Sequence, residues 1–158
     1  MSNQSFTISL VVPVYNEEES IDTFIETIDK ELAPLRDQLQ IVFVNDGSRD
    51  KTREVVEKAI ERDNRVSLIN LARNFGKEAA MTAGLAHARG DAVIPMDVDL
   101  QDPPALILEF VRLWREEGYD TVYGVRTDRN ADTAMKRLTA GGFYRFFNAV
   151  DRKSTRLN

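Results

Sequence analysis

The sequence contains no cysteine and a single histidine, His87. Disulfides and thiolate metal sites are therefore excluded, and His87 has no second imidazole to share a metal with, so it reads as a surface or packing residue. No apolar run approaches the roughly 18 residues of a membrane span. The amino terminus has no basic segment leading into an apolar run, so no signal peptide is visible. An excess of positive charge is also missing. Lys and Arg number 21 against 26 Asp and Glu, for a net charge of −5, which gives no support for binding nucleic acid through a basic surface. No Gly-x-Gly-x-x-Gly follows the first apolar segment and no Gly-Lys-Ser/Thr loop occurs. The usual dinucleotide fold and the P-loop nucleotidases are disfavoured accordingly. There is no internal repeat, low-complexity tract or linker. The 158 residues, 42% hydrophobic and 30% charged, fit one soluble globular domain with a real core.

What is present is an alternation of strand and helix patterns. Strands are expected over 6–14, 40–45, 66–70, 92–96 and 121–125. The first is nearly all apolar in its second half, as a strand covered on both faces should be. Between them lie helical patterns. One carries Ile21, Phe24, Ile25, Ile28 and Leu32 on a single stripe, with Asn16 and Glu19 spaced as a capping box. The next carries Val55, Val56, Ala59 and Ile60, with Ser48 or Asp50 as its cap. A helix of small residues over 77–89 is expected to pack through Ala79, Ala80, Ala83, Leu85 and Ala86. Another over 103–117 is expected to face inward with Leu106, Phe110, Leu113 and Trp114. A last helical pattern covers 133–150. This order predicts an α/β fold, a mostly parallel sheet with helices on both faces.

Three expected strand ends collect the polar residues: Tyr15-Asn16-Glu17, Asn45-Asp46-Gly47-Ser48, and the stretch from Asp97 to Asp102. In an open α/β sheet, ligands bind at the carboxyl ends of the strands. Asp97, Asp99 and Asp102 are like charges within six residues, which repel unless a cation sits among them. With the neutral oxygen of Gln101 they suit Mg²⁺ or Mn²⁺, cations that usually also hold substrate phosphates. The set fits a metal bridging this loop to a nucleotide diphosphate. Other readings stand beside it: Asp-x-Asp is common in solvated loops, and Asp102 before Pro103 fits a helix cap.

Four segments in order carry a family resemblance: Val11-Val12-Pro13-Val14-Tyr15-Asn16-Glu17-Glu18, Val44-Asn45-Asp46-Gly47-Ser48-Arg49-Asp50, Asn74-Phe75-Gly76-Lys77, and Asp97-Val98-Asp99-Leu100-Gln101-Asp102-Pro103-Pro104. Together they resemble glycosyltransferase family 2, and within it the polyprenyl-phosphate branch of bactoprenol glucosyltransferases and dolichol-phosphate mannose synthases. The resemblance covers about 6–150. It implies a three-layer nucleotide-diphospho-sugar transferase fold of the GT-A type, with 1–150 as the donor-binding catalytic domain. It implies an inverting transfer of a hexose, from UDP-glucose in first place and GDP-mannose next, to a polyprenyl phosphate with the help of Mg²⁺ or Mn²⁺. Pro13, Tyr15, Glu17, Asp46 and Asp97 would bind the nucleotide sugar, with Asp46 meeting the base. Asp99 and Gln101 would hold the metal, and Asp99 and Arg126 would be the catalytic residues, Arg126 meeting the acceptor phosphate. Lys77 matches a family position but receives no role.

The resemblance further implies work at the cytoplasmic face of a membrane. Arg126, Arg129, Lys136 and Arg137 are candidates to place a lipid phosphate. Segment 133–150, with Phe143, Phe146 and Phe147 among basic residues, suits an interfacial helix, although an ordinary helix packed on the sheet has the same pattern. The tail 151–158 departs from the family, so the chain reads as a C-terminally truncated member. Two other function classes remain open at this point. One is a nucleotide-sugar-binding domain without turnover. The other is an Asp-dependent phosphotransferase of the haloacid-dehalogenase type, whose aspartate pair, however, normally follows the first strand.

Overall fold

Two strands buried on both faces form the centre of the fold. β1, Ile8–Val14, has six of its seven residues buried, and β2, Leu39–Asn45, likewise. The structure, a computed structural model, describes residues 5–124. The described elements lie within one compact unit that ends at Val122. β3, Val66–Asn70, pairs with β2, and β4, Ala92–Pro95, pairs with β1, giving a wholly parallel sheet of order β3-β2-β1-β4. The register sets Val14, Asn45 and Asn70 level with one another. Met96 N–H donates to the Val11 carbonyl just past the end of β4. All four carboxyl ends therefore open on one edge.

Side chains alternate across β1 and β2 and feed two cores. Ile8, Leu10, Val12 and Val14 of β1, with Leu39, Ile41 and Phe43 of β2, join the larger one. There they meet α1, Ile21–Glu31, α2, Thr52–Arg62, and α4, Leu106–Glu117. Ile21, Phe24 and Ile28 of α1 are wholly buried, each worth roughly 1.5–3 kcal/mol of hydrophobic burial. On the other face, Val11, Val42 and Val44 meet α3, Lys77–His87. The close approach is made at Gly84, where a Cβ would lie 2.3 Å from Val11 Cγ1. The result is three layers: α1, α2 and α4, then the sheet, then α3.

Several local expectations change. Asn16 and Glu19 do not form a capping box, because α1 begins only at Ile21 and no side chain caps it. Asn16 instead adopts φ 55° and Glu17 Oε2 accepts a bond from Ser20 Oγ at 2.7 Å. A 3-10 turn, Ala33–Gln38, follows α1. α3 packs through Ala80 and Gly84, whereas Ala79, Leu85 and Ala86 are exposed. α4 starts three residues later than expected and turns Ile107 and Val111 inward, leaving Leu106 exposed. β4 is half-exposed, since it borders the described sheet on one side only. No strand forms over 121–124, the described part of the fifth expected strand. Arg126, the helical pattern 133–150 and the tail 151–158 lie outside the described residues.

Candidate active site

The carboxyl edge of the sheet carries a cleft of about 280 Å³ lined by residues from all four strand ends. The end of β1 gives Pro13 and Val14 and the turn after it Tyr15 and Glu17; after β2 comes Asp46; after β3, Asn74, Gly76 and Lys77; after β4, Asp97, Val98 and Asp99.

Each wall has a local cause. The turn after β1 is tied to the turn after β2. Asn16 N–H donates to Ser48 Oγ at 2.9 Å, Arg49 N–H donates to Asn16 Oδ1 at 2.8 Å, and Glu17 N–H donates to Thr52 Oγ1 at 2.8 Å. Asn tolerates the left-handed backbone this turn requires better than most residues. Neither Ser48 nor Asp50 caps α2, whose N-cap is Lys51 without a side-chain cap bond, but Asp50 Oδ1, one residue earlier, accepts from Thr52 N–H at 3.0 Å and from Thr52 Oγ1 at 2.6 Å. Desolvation is the largest single influence and raises the Asp50 carboxyl, but the bonds from Thr52, with those from the Glu18 and Asp50 backbone, together outweigh it and hold the carboxyl below its usual range.

Asp46 is only 2% exposed. Its carboxylate accepts backbone N–H bonds from Phe75 at 2.7 Å and Gly76 at 2.9 Å. The residue expected to meet a base thus also fixes the 71–76 loop. The partner turn is equally close: a Cβ at Gly47, whose φ is 68°, would sit 2.4 Å from the Arg73 carbonyl carbon. Arg73 in turn stacks over the exposed Phe75 ring at 4.8 Å. Asn45 Nδ2 donates to Asn70 Oδ1 at 2.9 Å and joins the ends of β2 and β3.

Past β4, alternation sorts the chain into two sides. Met96 and Val98 are buried in the larger core, with Leu100 packed against it. Asp97 and Asp99, the residues between, reach the cleft. Leu100 takes φ 56° at the turn closed by its N–H on the Asp97 carbonyl. A bulky residue in the left-handed region is strained, and such strain persists where surrounding structure fixes it. Lys77 Nζ donates to Asp97 Oδ2 at 2.8 Å and forms an ion pair with Oδ1 at 2.7 Å.

Of the residues singled out in the sequence, Pro13, Tyr15, Glu17, Asp46, Asp97 and Asp99 come together in the cleft. Gln101 is exposed, outside the lining, and donates its backbone N–H to Asp99 Oδ1 at 3.2 Å. Arg126 lies outside the described residues. Sequence reasoning left Lys77 without a role, although it follows Gly76 at the start of a helix opposite the aspartates. Among the described residues no group of three or more Asp, Glu, His or Cys gathers to cage a metal. Two cleft carboxylates are nonetheless a fitting donor set for Mg²⁺ or Mn²⁺, which commonly uses one or two carboxylates and completes its shell with phosphate and water.

Comparison with known proteins agrees with this geometry. Residues 9–156 match the family model described as glycosyl transferase family 2. The chain is 46% identical over 138 residues to the uncharacterized glycosyltransferase sll0501 of Synechocystis, covering 87% of this chain and 43% of that protein. It is 48% identical over 145 residues to the bactoprenol glucosyl transferase of Shigella phage SfV, covering 90% of this chain and 46% of that protein. It therefore spans less than half the length of these relatives. Among solved structures it resembles the Pyrobaculum calidifontis mannosyltransferase PcManGT in complex with GDP-Man and Mn²⁺, at TM-score 0.55 and 27% identity over 64% of this chain and 34% of that one. It also resembles S. aureus TarS 1–349 in complex with UDP, at TM-score 0.60 and 26% identity over 82% of this chain and 39% of that one. The fold is thus of the GT-A type, the phosphotransferase reading has no observation behind it, and the chain belongs to glycosyltransferase family 2.

Proposed function

We propose that this chain is the donor-binding part of an inverting glycosyltransferase that moves a hexose from a nucleotide-diphosphate sugar to a polyprenyl phosphate. The observation that carries the reading is the cleft itself: Tyr15, Glu17, Asp46, Asp97 and Asp99 converge at the carboxyl ends of parallel strands, where such folds bind nucleotides. Its mixture of one aromatic, one proline and several carboxylates suits a base, a ribose and a metal-bound diphosphate. The relatives named for bactoprenol glucosyl transfer favour glucose and a polyprenyl phosphate, and UDP-glucose over GDP-mannose as donor.

In this reading Pro13, Tyr15 and Glu17 line the nucleotide, Asp46 meets the base, and Asp97 helps hold the donor. Asp99 is the carboxylate for Mg²⁺ or Mn²⁺, with Gln101 two residues on as a further oxygen. When bound, the cation neutralises charge on the departing diphosphate. The acceptor phosphate oxygen attacks the anomeric carbon, a new C–O bond forms, and the bond to the diphosphate breaks with its electron pair on the nucleotide. A phosphomonoester with a second pKa near about 6 is mostly dianionic at neutral pH and hardly needs a base. It needs a cation to place it, and Arg126 is the proposed one. A basic, aromatic 133–150 segment at the membrane surface would bring the lipid to the cytoplasmic face. Among the described residues no helix is long and apolar enough to cross a membrane.

Calorimetry with UDP-glucose and GDP-mannose, in Mn²⁺ and in chelator, tests the donor half. Metal-dependent binding of one donor, lost in Asp99→Ala, is expected. Absence of binding by either donor with Mn²⁺ present refutes it. Transfer of labelled glucose to a polyprenyl phosphate tests the second half, and binding without transfer is what a donor-binding module alone predicts.

A further inference from the structure

The cleft has a charge problem that points to a residue without an assigned role. Its lining includes the acidic side chains Glu17, Asp46, Asp97 and Asp99 and, among the described residues, a single cationic one, Lys77. A diphosphate entering this cleft meets like charge from one wall and needs positive charge beyond what one divalent cation brings. Lys77 is placed to supply it. It is the first residue of α3, whose amino-terminal end opens on the cleft. Its position is set by the two Asp46 bonds to Phe75 and Gly76 immediately before it. Its side chain is 64% exposed although paired.

An ammonium has three N–H donors. The two Asp97 oxygens, at 2.7 Å and 2.8 Å, engage at most two of them. We infer that Lys77 is a ligand of the donor diphosphate: one N–H takes a phosphate oxygen while the others keep Asp97 turned into the cleft. The Asp97 pair then does two things. It holds a flexible four-carbon side chain in place before the ligand arrives, lowering the ordering cost of binding. It also cancels one of the negative charges that would repel the phosphates. The inference rests on the donor-cleft reading above and assigns a residue within it.

The test compares nucleotides with their nucleosides. UDP, GDP, uridine and guanosine are titrated into wild type, Lys77→Met and Lys77→Arg with Mg²⁺ present, followed by ligand-observed NMR, with thermal melting as a check on folding. Loss of a charge-assisted bond predicts that Lys77→Met weakens binding of the preferred diphosphate by about ten- to a hundredfold. Its nucleoside should bind unchanged, and Lys77→Arg should restore most of the loss. Equal weakening of diphosphate and nucleoside would assign Lys77 a structural role and overturn the inference, as would a Lys77→Met variant that binds the diphosphate like wild type. If wild type binds neither diphosphate nor nucleoside, the donor-cleft reading itself fails and the inference goes with it.

Discussion

Replacing Asp46 by asparagine separates its service to the loop from any service to a ligand. The carboxylate gives one acceptor to Phe75 N–H at 2.7 Å and one to Gly76 N–H at 2.9 Å, at 2% exposure. Asparagine keeps the shape but turns one acceptor into an NH₂ donor, so one of the two backbone N–H groups faces another donor and loses its partner. A hydrogen bond to a charged group contributes roughly 1.5–3 kcal/mol, and a stranded buried donor costs about as much as it loses. Removing a negative charge relieves some repulsion in the cleft. That relief is smaller, because Asp97 is already paired with Lys77 and both are substantially exposed. The net expectation is a loss of about 2–3 kcal/mol. With a urea dependence of about 2 kcal/mol per molar, the midpoint followed by Trp114 fluorescence should fall by about 1 M. If the loop opens without global unfolding, the loss appears instead as faster hydrogen exchange at the Phe75 and Gly76 amides. An unchanged midpoint together with unchanged exchange at both amides would refute the reasoning.

Gly84→Ala sets helix propensity against packing. The gain of about 1 kcal/mol for leaving glycine meets an overpacking cost of about 1–3 kcal/mol from a Cβ 2.3 Å from Val11 Cγ1 and 2.9 Å from Val44 Cγ2, so the melting temperature should fall, and a rise would show that the sheet yields. Gly47→Ala combines a positive φ of 68° with a contact 2.4 Å from backbone; it should lower the melting temperature and weaken UDP binding together. The Asp63 carboxyl is held below its usual 3.8 chiefly by its bond from Arg65. A depressed folded pKa contributes stability above the unfolded value and loses it as pH falls through the folded one. Melting temperature should therefore drop below about pH 4, and Asp63→Asn should flatten that acid limb while lowering stability at neutral pH.

β1 and β2 were legible because burial on both faces removes alternation and leaves nearly unbroken apolar runs such as 8–14 and 41–44, whereas the apolar residues over 121–124 form no strand. Helix existence was legible from period, whereas helix rotation was not. α4 offers two adjoining apolar stripes, Leu106-Phe110-Leu113 and Ile107-Val111-Trp114, and periodicity fits both. The second faces in and shares only Trp114 with the face expected, Leu106, Phe110, Leu113 and Trp114; Phe6 meets Trp114 edge-on at 5.7 Å. α3 is small-residued nearly all round, so the close approach at Gly84 is chosen by Val11 and Val44 rather than by α3's own pattern. A capping box at Asn16 was a sound local reading, overridden by tertiary bonds to Ser48 and Arg49.

The same division runs through the cleft. Glu17, Asp46, Asp97 and Asp99 could be placed there because topology alone brings strand ends to one edge. What the acids do to one another could not, because it depends on partners far along the chain. Asp46 bonds backbone N–H groups 29 and 30 residues away, and any residue except proline offers such a group, so no side chain marks the site in sequence. Those bonds fix where α3 begins, and so where Lys77 stands relative to Asp97. A buried aspartate that reads as a ligand contact is thereby also the reason that the cleft has a cation at all, so removing the Asp46 carboxylate should disturb the Lys77–Asp97 pair as well as the loop.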